Sequence, residues 1–252
     1  MNNKVAVVTG GASGIGFAAA KALSDANYTV VIADLSKEQG VSAAEQLDCD
    51  FVQADLSSPR DNFRLIESTA ESHGSVDILV NNAGFQHVCQ LSSFPEDTWE
   101  KMLAVMLTSP FLLTKYAWPY MKKNGWGRVI NIASVHGMIA SPYKSAYISA
   151  KHGLLGLTKT AALEGGEYGI TVNAICPAYV KTPLVDKQIL AQALNNNMSP
   201  DDVISEIMLK NAAIKRLIEP EEVGAFVAYL ASDIARSFTG ASLALDLGWT
   251  AQ

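Results

Sequence analysis

Tyr147 and Lys151 stand four residues apart, and Ser134 lies thirteen before Tyr147, in the stretch S-V-H-G-M-I-A-S-P-Y-K-S-A-Y-I-S-A-K from Ser134 to Lys151. On a helix the tyrosine and the lysine share one face, one turn apart. A phenol titrates near ~10, and a neighbouring ammonium favours its ionised form. Such a tyrosine can exchange a proton with an alcohol near neutral pH. An ordinary amphipathic helix, with the tyrosine packed and the lysine solvated, produces the same spacing, so the pair takes its meaning from its surroundings.

A second constellation opens the chain. T-G-G-A-S-G-I-G places Gly10, Ser13, Gly14, Ile15 and Gly16 between an expected strand and an expected helix. Gly10 permits the tight turn, Gly14 lets a pyrophosphate approach the backbone, and Gly16 lets the helix pack on the sheet. The first helical N–H groups are free for the anion. Asp34 ends the next expected strand, 18 residues after Gly16. An acidic side chain there binds both ribose hydroxyls of an adenosine and repels a 2′-phosphate. No Arg or Lys stands at residue 35 or between Gly10 and Gly14 to receive that phosphate, so NAD is expected over NADP.

The elements that must position these residues alternate between strand and helix, which favours a parallel sheet covered on both faces. Strands are expected at Val5–Thr9, Thr29–Ala33, Asp50–Gln53, Asp77–Val80, Val129–Ala133, Ile170–Ile175 and Ser242–Leu245. Helices are expected at Gly14–Asn27, Lys37–Leu47, Asp61–His73, Thr98–Met106, Pro110–Asn124, Ser145–Leu163 and Glu221–Ala231, with a kink at Pro119. Only Val180–Lys215 breaks the rhythm, with helical patches at Leu184–Leu194 and Asp201–Ala213. It follows a strand's C-terminal end, where doubly wound sheets bind ligands, and reads as a substrate lid within one domain covering residues 1–252.

The 252 residues are 49% hydrophobic and 17% charged, a globular composition, and the net charge of −6 offers no basic field for nucleic acid or acidic lipid. Cys49, Cys89 and Cys176 are far apart and fit neither a disulfide framework nor a metal site. With no signal-peptide pattern and no apolar run near the ~20 residues of a membrane span, a soluble cytoplasmic protein is expected.

Together, T-G-G-A-S-G-I-G, N-N-A-G at Asn81–Gly84 and Y-x-x-x-K at Tyr147–Lys151 resemble the short-chain dehydrogenase/reductase family over essentially the whole chain. The resemblance implies a Rossmann-type α/β fold with a doubly wound parallel sheet of seven strands in the order 3-2-1-4-5-6-7. It makes Tyr147 the general acid/base, gives Ser134 the substrate oxygen, and has Lys151 lower the tyrosine's pKa and bind the nicotinamide ribose. It sets Asp55 and Leu56 by the adenine, Asn82, Ala83 and Gly84 under the adenosine ribose, and Pro177, Val180 and Thr182 by the carboxamide. It also implies a homotetramer, with the apolar flanks of the helices around Pro110–Lys123 and Ser145–Leu163 left for subunit contact. Two positions depart from the family. Met106 stands where Asn is usual and cannot replace its amide's hydrogen bonds. The family's water relay rests on that residue's backbone carbonyl, which Met106 also has, so activity is expected to survive. Ala178 stands where Pro-Gly is usual.

The substrate is read from polar residues expected at the mouth of the site. Gln86, His136, Lys144 and Gln188 supply one cation, one imidazole and two amides, which suit a small carboxylate, and Trp249 lies in the tail. S-V-H-G, the Lys before S-A-Y, T-P-L-V-D-K-Q and G-W-T-A-Q are similar to family members acting on (R)-3-hydroxybutyrate, in which the matching residues hold the carboxylate and the tail Trp closes the pocket. The expected reaction is reversible hydride transfer between NAD and (R)-3-hydroxybutyrate, giving acetoacetate, with no metal. The alternatives are 3-oxoacyl thioester reduction, which is expected to prefer NADPH; polyol oxidation, which would not need Lys144; and a non-catalytic NAD-sensing protein, against which the intact Ser134, Tyr147 and Lys151 argue.

Overall fold

Residues 4–251 are described in a computed structural model of the chain. Seven strands, β1 (Val5–Thr9), β2 (Thr29–Asp34), β3 (Asp50–Gln53), β4 (Ile78–Asn81), β5 (Gly127–Ile132), β6 (Ile170–Pro177) and β7 (Ser242–Leu245), form one sheet in the order β3-β2-β1-β4-β5-β6-β7. Every neighbouring pair is parallel. Parallel pairing requires a crossover between consecutive strands, and the crossovers cover both faces. Helices α1 (Gly14–Asp25) and α2 (Lys37–Leu47) lie on one face, where Ala6 and Val8 pack with Leu23, Leu47 and Val227. Helix α3 (Pro59–His73) lies on the other, where Val7 packs with Leu65, Ile66, Leu113 and Met121. The period-2 alternation of β1 thus feeds two separate cores.

The next helical run differs from the expected pair of helices. Helix α4 (Glu96–Leu103) passes through a π turn at Ala104–Thr108 directly into α5 (Ser109–Asn124), which continues past Pro119. Pro110 has no N–H to give to the carbonyl four residues earlier, that of Met106, and the wider π turn just ahead of it lets the run continue. Helix α6 (Ser145–Gly165) follows β5. After β6 come α7 (Pro183–Asn196), the short α8 (Pro200–Asp202) and a second π turn, Val203–Met208. The helix expected to reach Ala213 stops at Met208. The carbonyls of Leu209 and Lys210 accept instead from the Lys215 ammonium, at 2.8 and 2.9 Å. Helix α9 (Pro220–Ala231) packs back on α1 closely enough that a Cβ on Gly224 would lie 2.5 Å from the Ala18 carbonyl oxygen.

Candidate active site

The loops at the C-terminal ends of the strands surround three adjoining hollows. The first, about 330 Å³, runs from Gly10 and Asp34 past Asn82–Gly84 to Ser134, Tyr147 and Lys151, and is closed by Pro177 and Thr182. A second continues from it past Asp34 to Asp55, Leu56 and Lys101. A third, about 90 Å³, continues the other way and is lined by Gln86, His136, Lys144, Tyr179, Val180, Gln188 and Trp249. Every candidate from the sequence lines one of these hollows except Gly16, which lies beneath the first.

The dinucleotide end is built by close backbone approach. A Cβ on Gly16 would sit 2.0 Å from the carbonyl oxygen of Gly10, so no other residue lets α1 start there. Gly14 has φ +54°, a conformation L side chains rarely adopt. Ser13 occupies the N-cap of α1 without a side-chain capping bond, and the first turn holds no acidic residue, so its N–H groups are open to an anion. Asp34 is held at its strand end by N–H bonds from Ala12 (3.3 Å) and Ser36 (3.1 Å). These residues fit a dinucleotide: a cradle without Cβ atoms, an uncapped helix N-terminus and a fixed acceptor for ribose hydroxyls. Asn82 works differently from its neighbours. Its amide donates to the carbonyls of Thr9 (2.9 Å) and Gly10 (3.2 Å), bracing the glycine turn.

The proton-transfer end hangs on β5 and α6. Inside the molecule, Asn81 Nδ2 donates to Asn131 Oδ1, and Asn131 Nδ2 to Thr158 Oγ1, both at 2.8 Å, tying β4, β5 and α6 together. This buried ladder had no sequence signal beyond two polar residues inside apolar strands. Lys151 Nζ donates to the carbonyl of Ile132 at 2.7 Å, and Ser134 Oγ accepts from the N–H of His136 at 3.1 Å. Burial pushes the Tyr147 phenol up, and its hydrogen bond with Ser134 pulls it down. The Lys151 ammonium lies 5.7 Å from the Tyr147 ring centre, and burial lowers it to about 8. In the chain alone, burial therefore outweighs the lowering of the tyrosine expected from its lysine. Met106, 1% exposed, packs with Met102, Ala146 and Ala150, beside Tyr147, so its thioether fills space in the apolar layer behind the tyrosine. With Pro110 following it, its carbonyl lacks its α-helical donor.

The smallest hollow is the most polar in its buried groups. Lys144 is 8% exposed and pairs with no carboxylate among the described residues; its Nζ donates to Tyr179 Oη at 3.3 Å. Burial lowers it to about 8. His136 is held down to about 4 by burial, then by Lys144 and His152, so it is a neutral imidazole at pH 7. It meets Tyr147 and Trp249 edge-on, with ring centres 6.3 and 5.9 Å away. The Gln86 Oε1 is buried with no hydrogen-bond partner among the described residues. Gln188 reaches the hollow from α7. A buried cation with no counter-ion, beside an unsatisfied amide and a neutral imidazole, is an arrangement a bound carboxylate would complete. Sequence reasoning missed Tyr179 here and Lys101 in the second hollow; the only signal for Tyr179 was an aromatic residue just past a strand end.

A family model described as enoyl-(acyl carrier protein) reductase matches residues 10–250. The D-beta-hydroxybutyrate dehydrogenase of Rhizobium meliloti (strain 1021) is 45% identical, with 99% of each chain covered. The D-beta-hydroxybutyrate dehydrogenase of Cupriavidus necator is 40% identical over the full length of both chains. The acetoacetyl-CoA reductase of Rhizobium meliloti is 36% identical over 98% of each.

Proposed function

The chain belongs to the short-chain dehydrogenase/reductase family and is an oxidoreductase of that family, and we propose that it oxidises (R)-3-hydroxybutyrate reversibly to acetoacetate with NAD. The observation that carries the substrate is Lys144, a buried ammonium with no carboxylate among the described residues to pair with. The names of two full-length relatives agree with this reading. The adjoining pocket of about 90 Å³ suits a substrate of a few carbons, well below the roughly 300–1,000 Å³ of sites for drug-sized ligands, and so favours a free acid over a long acyl thioester.

In this reading Gly10, Ser13–Gly16, Asp34, Asp55, Leu56 and Asn82–Gly84 hold the adenosine and pyrophosphate of NAD. Lys151, Pro177, Val180 and Thr182 hold its nicotinamide half. Asp34 selects NAD, because a 2′-phosphate would meet its carboxylate. When bound, the nicotinamide supplies the hydride acceptor that the chain lacks. Tyr147, as phenolate, takes the proton of the substrate hydroxyl, and Ser134 holds that oxygen. Lys144 pairs with the carboxylate, while Gln86, Gln188 and neutral His136 complete its hydrogen bonds, which also orients the carbinol carbon. Trp249 closes the pocket. Residues 180–215 act as the lid of a single domain spanning residues 1–252.

The same reading makes the protein a cytoplasmic homotetramer, with exposed apolar groups such as Phe111 on α5 and Leu163 on α6 available for subunit contact. No helix among the described residues is long and apolar enough to cross a membrane. A steady-state assay tests the substrate: NAD reduction should be far faster with (R)-3-hydroxybutyrate than with 2-butanol. Equal rates would show that the carboxylate is not recognised.

A further inference from the structure

The pocket contains one polar group for which the proposed reaction has no role yet. Tyr179 follows β6, and its backbone is fixed from below, since its carbonyl accepts from the N–H of Ile218 at 3.0 Å. Its ring lies 5.6 Å from Trp249, tilted by 31°, forming one wall of the smallest hollow. Its hydroxyl accepts from Lys144 Nζ at 3.3 Å, and the ammonium is 5.5 Å from the ring centre. A phenol oxygen that accepts still carries its own proton. Among the described residues no acceptor is in place for that proton.

From this geometry we infer that Tyr179 is a specificity-determining residue, its hydroxyl and the Lys144 ammonium forming a two-group receptor for the substrate carboxylate. The ammonium donates to Tyr179 Oη and to one carboxylate oxygen; the Tyr179 O–H donates to the other. The ring alone would serve a neutral substrate equally well, so the hydroxyl distinguishes an acid from an alcohol of the same size. Burial and the nearby Tyr147 push the phenol up to about 12, so it stays a neutral donor and never adds a negative charge opposite the carboxylate. This role rests on the 3-hydroxy-acid reading of the pocket and adds a residue to it.

The test is Tyr179→Phe, which keeps the ring against Trp249 and removes only the hydroxyl. Butyrate is titrated calorimetrically into NADH-saturated wild type and variant, and steady-state kinetics are measured with (R)-3-hydroxybutyrate and 2-butanol. A hydrogen bond to a charged group corresponds to roughly a tenfold change in affinity. The butyrate Kd and the KM for the hydroxy acid should therefore rise together by roughly tenfold, with kcat and 2-butanol turnover little changed. Unchanged butyrate affinity in Y179F overturns the inference, as does a wild type that binds no butyrate. Equal loss of turnover on both substrates also overturns it, since it would make the residue a support for the ring wall only. If wild type fails to oxidise 3-hydroxybutyrate while Y179F still weakens butyrate binding, the substrate reading falls and the carboxylate receptor stands.

Discussion

Lys144 is the residue on which the chemistry of this site turns, because its environment removes water while no carboxylate among the described residues pairs with it. Desolvation alone lowers it to about 8. A lysine so lowered is protonated below that pH and loses its charge as pH rises through it, the reverse of what the proton acceptor needs, since burial raises Tyr147. The two groups therefore pull the pH profile in opposite directions. For oxidation of 3-hydroxybutyrate, kcat should climb with pH as Tyr147 ionises. In contrast, kcat/KM, which reports the free enzyme, should bend downward above about pH 8 as Lys144 is neutralised. With 2-butanol, which has no carboxylate for Lys144, the bend should be weaker, leaving only what Lys151, also lowered to about 8, contributes. In Lys144→Met the profile for the acid should lose its extra bend and match that of 2-butanol, and kcat/KM for the acid should fall by roughly a hundredfold, the scale of a lost buried charge pair. A profile for 3-hydroxybutyrate that bends as strongly in the methionine variant as in the wild type would remove Lys144 from the carboxylate.

At the scale of elements, the sequence was most legible where one residue type does one job. The strands could be read because β-branched runs end in Gly10, Asp34 and N-N-A-G, and the observed sheet order is the one the family resemblance implies. What could not be read were places where backbone donors are counted across several turns. The π turn at Ala104–Thr108 depends on Pro110 withholding one N–H, and the halt at Met208 depends on a lysine seven residues later reaching back. Asn131 was hidden for a similar reason, since its partners Asn81 and Thr158 are 50 and 27 residues away. Helix α9 shows a local signal with a global consequence. The Glu222 carboxylate accepts from the Glu219 N–H at 2.8 Å and from both Arg216 Nη atoms, at 2.6 and 2.8 Å, and is held down to about 2. Because that value is depressed, the stabilisation is present in full above the ordinary carboxylate range and is lost as pH falls toward about 2. The pair is 48% and 37% exposed, so screening keeps it weak. Glu222→Ala should cost about 1 kcal/mol at neutral pH, through loss of the cap, and clearly less near pH 3. Since neither Glu222 nor its partners Arg216 and Glu219 line the three hollows, KM should not move. Thermal unfolding at the two pH values together with one kinetic run checks both halves.

At the scale of the whole molecule, the site is assembled from one end of every layer. The glycine turn follows β1, Asp34 ends β2, Asp55 follows β3, Asn82 follows β4, Ser134 follows β5, Pro177 ends β6 and Trp249 follows β7. None of these groups is near the others in the unfolded chain, so a ligand spanning the first six can bind only the folded state. Binding of that kind stabilises by RT ln(1 + [L]/Kd), about 2.7 kcal/mol at a ligand concentration of 100 Kd. For a chain of this size that amounts to a rise in Tm of roughly 5–10 °C. NADH should produce it. NADPH at the same concentration should produce little, because Asp34, fixed by the N–H groups of Ala12 and Ser36, cannot swing away from a 2′-phosphate. Asp34→Asn keeps the size and removes the charge, so it should shrink the difference between the two cofactors while leaving the fold intact without ligand. Equal shifts from NADH and NADPH in the wild type would overturn the assignment of cofactor preference to Asp34. A normal NADH shift in a Gly16→Ala variant would overturn the glycine cradle itself, since a methyl group there must displace the carbonyl oxygen of Gly10 from a position 2.0 Å away.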